Sequence, residues 1–404
     1  MNKVKLGIIR EGKVPPDKRV PLSPKQCKEV ITKFPNVDLI VQKSSIRKFD
    51  NEMYKELGVT LAEDISDCDV ILGVKEVQIN DLIPNKKFFF FSHTIKEQPY
   101  NADLLRAILE KNIELIDWET LTRPSGVRLI GFGRYAGIVG CYNGFLAWGK
   151  RFNSFELKPA NLCDDRTEME GEYAKINLPS NTKIAITGRG RVAKGAMEVL
   201  DGVGILKVSP EAYLTKNFNE PVYTQLVAEH YNRTSDGSAF NKQEFYADGS
   251  AFISDFKKWS RITDIYVSCH YYNAGSPYLF TREDARAADF NIKVVADISC
   301  DIDGPIACTL RPSTIADPIY GYNPQTEQEV TANTKDCITV MAVDNLPCEL
   351  PKDASEDFGN ELIQNILPNL VGEDVDHIIE RATIARKGAL TKHYSYLQNY
   401  VDGK

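Results

Sequence analysis

Residues 184–200 narrow the possible folds of this chain more than any other stretch. The apolar run Ile184-Ala185-Ile186-Thr187 suits a buried strand and breaks into Gly188-Arg189-Gly190-Arg191-Val192-Ala193-Lys194-Gly195. Ala196-Met197-Glu198-Val199-Leu200 then continues at helical spacing. Glycines at such a turn let backbone N–H groups approach a phosphate, and the helix N-terminus behind them favours negative charge. The spacing Gly188-x-Gly190-x-x-Ala193 fits a dinucleotide fingerprint with alanine in the third place. Glycines also sit at ordinary strand-to-helix turns. Here a second strand, Gly204-Ile205-Leu206-Lys207-Val208, follows the helix and favours the nucleotide reading.

The N-terminal third repeats the alternation. Strands are predicted at Leu6–Ile9, Val37–Val41, Val70–Val74, Phe88–Phe91 and Ile113–Ile116, and helices at Pro24–Phe34 and Ala102–Lys111. A long apolar helix is predicted over Gly137–Phe152, a charged connection over Glu156–Pro179, and later strands at Ile265–Cys269 and Val294–Ile298. Helices are expected again at Asn360–Leu367 and Val375–Lys387. A length of 404 residues suits two domains. The expected class is α/β, with two Rossmann-like domains, mostly parallel sheets and a cleft between them. Residues 1–135, with helices from about 350–404, form the expected substrate domain; 136–349 form the dinucleotide domain, with an insertion of little periodicity at about 213–259.

Composition excludes several classes. A net charge of −7 argues against a dedicated nucleic-acid binder. No run of 18 apolar residues exists to span a membrane, and the N-terminus reads as a strand instead of a signal peptide. Nine cysteines without a C-x-x-C pair suggest reduced thiols and a cytoplasmic protein. Five histidines, none clustered with other ligand types at metal spacing, predict no metal. Oligomeric state is left open.

Parallel sheets bind ligands outside the carboxyl ends of their strands. Lys75 and Glu76 follow one apolar strand, and His93 follows the next with only Ser92 between. A strand-end lysine loses its proton more readily when buried or near cations, and histidine titrates near neutrality, so the pair suits acid–base work on an imine. The alternatives are a solvated lysine and a structural histidine. Arg19 and Arg128 read either as carboxylate clamps or as chain caps.

Arg19, Lys75 and His93 sit within longer matching segments. They are Lys18-Arg19-Val20-Pro21-Leu22-Ser23-Pro24, Ile71-Leu72-Gly73-Val74-Lys75, Phe90-Phe91-Ser92-His93-Thr94-Ile95-Lys96, Phe132-Gly133-Arg134-Tyr135-Ala136-Gly137, Ala296-Asp297-Ile298-Ser299-Cys300-Asp301 and Val343-Asp344-Asn345-Leu346-Pro347. In these segments the chain resembles saccharopine dehydrogenases of the L-lysine-forming type, including the lysine-ketoglutarate reductase half of aminoadipic semialdehyde synthase. It is more distantly similar to alanine dehydrogenase and to the nucleotide-binding part of transhydrogenase.

The resemblance implies an NAD(P)-dependent oxidoreductase of lysine metabolism whose small-molecule substrates are saccharopine, L-lysine and 2-oxoglutarate. It implies Lys75 as general base and His93 as acid–base group. Arg19, Gln98, Glu119 and Arg128 would serve substrate, with Ser299, Cys300 and Asp301 facing it. Gly188, Gly190 and Arg191 would meet the dinucleotide phosphates, and Tyr271 the cofactor. Ile298 would lie at the nicotinamide, and Val343, Asp344, Asn345 and Leu346 would close over it. Fungal NAD enzymes of the family end the second strand of the cofactor domain with an acidic residue. Ser209 stands in that place here, and the expectation leans to NADP over NAD. An alanine dehydrogenase-like enzyme and a non-catalytic nucleotide-binding protein are the rival readings.

Overall fold

The computed structural model describes residues 3–273 and 275–404. Its described residues fall into two compact units, Met1–Phe132 with Pro351–Lys404, and Gly133–Leu350.

The first unit is built on strands β1 (Val4–Ile8), β2 (Val37–Gln42), β3 (Thr60–Ala62), β4 (Val70–Leu72), β5 (Lys87–Phe90) and β6 (Glu114–Asp117). All of these pair in parallel. Successive side chains of a strand point to opposite faces, and both faces of this sheet are covered. Leu72 and Phe89 join one apolar core, while Ile71, Phe88 and Phe90 join the other. Burial on both faces is why these strands read as unbroken apolar runs instead of alternating. Helix α1 (Pro24–Lys33) starts where Ser23 and Gln26 form a reciprocal cap and Pro24 takes the first position. Helix α2 (Ala102–Glu110) leads into β6.

In the second unit, α3 (Gly133–Phe152) and α4 (Arg191–Val203) pack backbone to backbone. A Cβ on Gly137 would lie 1.9 Å from the Val192 oxygen, and one on Gly195 would lie 2.0 Å from the Arg134 oxygen. Only glycine permits that approach. The strands are β7 (Lys183–Thr187), β8 (Leu206–Lys207), β9 (Val222–Leu226), β10 (Asn232–Thr234), β11 (Phe252–Ser254), β12 (Ile265–Ser268), β13 (Val294–Asp297), β14 (Ile319–Asn323), β15 (Gln328–Val330) and β16 (Ile338–Met341). Eight of them form a sheet in the order β15-β14-β16-β13-β12-β7-β9-β8, antiparallel only at β14 and β15. The hairpin β10–β11 stands apart. After this unit the chain adds β17 (Thr383–Arg386) and β18 (Ala389–Leu390) antiparallel to the first sheet, giving β18-β17-β6-β5-β4-β1-β2-β3. The fold is α/β with two mostly parallel eight-stranded sheets.

Three expectations are corrected. The stretch at 213–259 is not wholly an insertion, because β9 is a buried strand placed directly beside β7. Its polar Thr224 is buried in place, with its hydroxyl on the Val208 carbonyl, so the pattern lost its apolar signature. Val375–Lys387 is not one helix. It is a turn of helix at Ile378–Ala382 followed by β17, where Thr383-Ile384-Ala385 favours a sheet position. The charged segment 156–179 is not merely a connection, since it buries Leu157, Ala160 and Met169 and includes a helix at Arg166–Gly171. Strands β14 to β16 were not anticipated at all.

Candidate functional site

In the first unit, β4 and β5 run side by side in register, and the Phe91 N–H donates to the Val74 carbonyl at 3.0 Å. Lys75-Glu76 and Ser92-His93 therefore leave the sheet together. Glu11, just past β1, pins the first of these turns. Its carboxyl accepts the N–H groups of Val74 at 2.7 Å and of Lys75 at 2.9 Å. Burial pushes Glu11 up to about 7, against the opposing pull of those two bonds.

His93 has a left-handed backbone, φ 54°. For a residue other than glycine that conformation costs energy and is held by its surroundings. The holding group is Asp117, which accepts the Ser92 N–H at 2.7 Å and the Ser92 hydroxyl at 2.6 Å. His93 Nδ1 meets Glu76 Oε1 at 2.5 Å, and Lys13 Nζ donates to Glu76 Oε2 at 2.8 Å. Burial alone would raise Glu76, but the contacts with His93 and Lys13 outweigh it and hold the carboxyl down at about 2. An ionised carboxylate only accepts, so His93 Nδ1 donates to Glu76.

Around this pair, Glu119 Oε1 draws Lys96 at 3.4 Å and Arg128 at 3.5 Å, while its Oε2 is buried without a partner among the described residues. Gln98 bonds the Tyr100 hydroxyl through its side chain and the Tyr400 hydroxyl through its carbonyl. Arg19 is 2% exposed and grips Asp17 through Nε at 3.0 Å and Nη2 at 2.6 Å, with its guanidinium 4.2 Å over the Phe132 ring. That edge of Arg19 already holds a carboxylate from its own chain.

In the second unit, a cavity of about 530 Å³ opens at the carboxyl ends of β7, β9 and β12. Gly188, Gly190, Arg191, Tyr271, Ser299 and Asp301 all line it. Gly188 has φ 98°, and a Cβ there would lie 2.5 Å from the Cys269 oxygen, so this turn requires glycine. Gly190 caps α4 and has nothing within 4 Å of a Cβ position, which leaves open space at the helix N-terminus. Buried Asp297 folds the 299–301 turn by accepting the Ser299 N–H at 3.1 Å, the Ser299 hydroxyl at 2.7 Å and the Thr309 hydroxyl at 2.7 Å. Cys300 adopts φ 55°, and its thiol turns to the Asp297 carbonyl. Burial pushes that thiol well up, and neighbouring Asp297 adds to the effect.

Several candidates stand away from the cavity. Ile298 and Leu346 pack on Gly140 of α3, where a Cβ would lie 2.5 Å from Ile298 Cγ1 and 3.1 Å from Leu346 Cδ1. Val343 is buried beside them in chain order, whereas Asp344 is exposed and Asn345 half-buried. Ser209 ends the outermost strand, β8, and its hydroxyl accepts the Ala212 N–H at 3.1 Å. It borders a separate hollow with Lys207, Gln225 and His230.

The strand beside the glycine turn is β9. The Gly188 N–H donates to the Leu226 carbonyl at 2.8 Å, and Gln225 Nε2 donates to the Gly188 carbonyl at 3.0 Å. Val227, Ala228 and Glu229, which follow β9, line the main cavity. Glu229 was missed from the sequence, and His270 fell only within the Cys269–Tyr271 stretch that the resemblance lays along the cofactor; the roles of Glu11 and Glu76 as partners of the two strand-end turns were missed too. Of these two, only Glu76, adjacent to Lys75, carried a signal. A glycine turn, an open helix N-terminus and a cavity at the strand ends suit a dinucleotide. No helix among the described residues is long and apolar enough to cross a membrane.

Residues 7–139 match the alanine dehydrogenase/PNT N-terminal domain family. Nearly the whole chain, 97%, aligns at 28% identity with 41% of the alpha-aminoadipic semialdehyde synthase of Arabidopsis thaliana. The chain thus spans less than half the length of that relative. It also aligns at 27% identity with the saccharopine dehydrogenase [NAD(+), L-lysine-forming] of Neurospora crassa, over 81% of this chain and 82% of that one. Among solved structures, an L-alanine dehydrogenase superposes with a TM-score of 0.64 at 14% identity, covering 99% of both chains, and shares the fold.

Proposed function

We propose, for a chain homologous to the saccharopine dehydrogenases and alpha-aminoadipic semialdehyde synthases, the interconversion of saccharopine with L-lysine and 2-oxoglutarate, linked to a nicotinamide dinucleotide. The observation that carries the reading is the strand-end set Lys75, Glu76 and His93, fixed by Glu11 and Asp117. In the reductive direction the ε-amine of lysine adds to the keto carbon of 2-oxoglutarate. The carbinolamine loses water, and the resulting imine takes up a hydride and becomes a secondary amine. Reduced dinucleotide plus a proton are consumed, and oxidised dinucleotide plus water are released. The dinucleotide, when bound, supplies the hydride.

Lys75 takes the amine proton. His93 Nε2 moves the proton for the water steps, and Glu76 stabilises the imidazolium that forms when it does so. Arg128 and Lys96 suit a substrate carboxylate, with Glu119 setting their positions. Arg19 organises its loop through Asp17, beside Glu11. In the second unit Gly188, Gly190 and Arg191 bind the pyrophosphate. Ser299, Asp301 and Tyr271 line the same cavity.

The expectation of NADP rested on Ser209 and on the resemblance of the 213–259 stretch to the ketoglutarate-reductase branch. Because β9 intervenes between β7 and β8, the position that reads the adenosine ribose moves to the end of β9. Glu229 is the acidic group there. A carboxylate accepts a ribose diol and repels a 2′-phosphate, which supports NAD(H).

The test is an absorbance assay with lysine, 2-oxoglutarate and NADH or NADPH, and with pyruvate plus ammonia as control. Lysine-dependent loss of NADH supports the reading. Loss only with pyruvate and ammonia would move the chain to an alanine dehydrogenase-like activity. Preference for NADPH would overturn the role of Glu229.

A further inference from the structure

We propose that His270 is a hydrogen-bonding contact for a ribose hydroxyl on the nicotinamide half of the dinucleotide. The inference rests on reading the second unit's cavity as a dinucleotide site, and it adds a residue that neither the fingerprint nor the matching segments include.

His270 lies two residues past β12 and lines the cavity. One ring nitrogen, Nδ1, is engaged: it meets the Thr187 hydroxyl at 3.0 Å and the Ser268 hydroxyl at 3.3 Å. Thr187 Oγ1 also meets the Tyr266 hydroxyl at 2.8 Å, so the ring is oriented by a buried chain of hydroxyls from two strands. The other nitrogen, Nε2, is buried and has no hydrogen-bond partner among the described residues. Buried polar atoms in folded proteins are nearly always satisfied, and an exception calls for a ligand or an ordered water. Burial lowers His270 to about 4, so the ring brings no charge into the cavity.

The ligand's chemistry follows from the hydroxyl chain. If Thr187 donates to Nδ1, Nε2 carries the proton and donates outward. If Nδ1 donates to Thr187, Nε2 accepts. A ribose hydroxyl donates and accepts, and satisfies either tautomer. A phosphate oxygen satisfies only the first. The place in the sheet selects which ribose. Order runs β13-β12-β7-β9, so β9 with Glu229 and β12 with His270 flank the glycine turn on opposite sides. With the pyrophosphate at the turn, the adenosine half lies towards β9 and the other ribose towards β12. The Gly188 turn packs directly on this segment, where a Cβ would meet the His270 backbone nitrogen at 3.1 Å.

The test is calorimetric titration of the full chain with ADP, which has one ribose, and ADP-ribose, which has both. His270→Leu should weaken ADP-ribose 5- to 30-fold and leave ADP within twofold, as expected for one lost hydrogen bond. His270→Gln, whose amide reaches the same depth, should recover most of the loss. Equal weakening of both ligands, or no change with ADP-ribose, would overturn the assignment. Should the leucine variant misfold, ring ¹⁵N shifts of the unaltered protein decide: Nε2 should move with ADP-ribose and stay with ADP, and the reverse would contradict. Failure of the unaltered protein to bind either ligand would instead remove the dinucleotide reading itself.

Discussion

The polar groups of the two units are arranged in opposite ways. In the first unit the candidate charged side chains meet others of the same unit: Glu76 with His93 and Lys13, Glu119 Oε1 with Lys96 and Arg128, Arg19 with Asp17. Around the β7 cavity the turn at the strand end is set by glycine backbone at Gly188, and His270 Nε2 has no partner among the described residues. The first arrangement holds Glu76 in its ionised form. The second leaves hydrogen-bonding capacity for a ligand to fill. The contrast suits a division in which one unit performs proton transfers and the other binds the dinucleotide.

The sharpest way to break that division is to damage each side and read both outputs. Lys75→Met should lower kcat by about 10²–10⁴-fold, the range for a lost general base, while NADH affinity measured by fluorescence changes less than twofold. Gly188→Ala should do the reverse. Its φ of 98° and the 2.5 Å approach to Cys269 predict about 1–3 kcal/mol of strain, read as weaker NADH binding and a lower Tm. Parallel losses in both outputs from either change would erase the contrast.

Acid and base titration sharpen the comparison within the first unit. Glu76 is held at about 2 in the fold and has an ordinary value of 4.5. Its contribution to stability is present above pH 4.5 and disappears as pH falls towards 2. Glu11 is raised to about 7, so its contribution is present below pH 4.5 and lost as pH rises through 7. Urea denaturation across pH should therefore show Glu76→Gln flattening the acid limb and Glu11→Gln flattening the neutral limb. An unchanged slope in either variant would contradict the assigned environment.

The smallest expected effects lie at the edge of the second sheet. Glu229→Ser should move the NADH-to-NADPH preference about tenfold towards NADPH, as for one charged hydrogen-bonding group. Ser209→Ala should leave that ratio within twofold, because its hydroxyl caps a helix outside the cavity. Its cost would be the loss of a cap, about 0.5–2 kcal/mol in urea denaturation.

How much was legible beforehand follows the same physics. The β7 turn, and the strands that end at Lys75 and His93, announce themselves because fully buried parallel strands are continuous apolar runs. β9 escaped because Thr224 and Gln225 interrupt its apolar run, and they are satisfied only by tertiary partners, Val208 and Gly188. On the proposed dinucleotide reading, that miss shifts the ribose-reading position by one strand. Glu11 lies 63 residues from Val74, and His270 faces Thr187 across 83 residues. Neither pairing has a local pattern, so only the folded chain brings them into view. Arg19 was legible as a carboxylate clamp, but the carboxylate it holds proved to be Asp17, two residues away.

The most direct test of the account is to follow the nitrogen. The protein would be incubated with lysine labelled with ¹⁵N at its ε position, 2-oxoglutarate and NADH, and the products read by mass spectrometry. The account predicts a single new secondary amine that joins both carbon skeletons and retains the ¹⁵N. Label appearing in glutamate, or NADH consumed without that adduct, would contradict it.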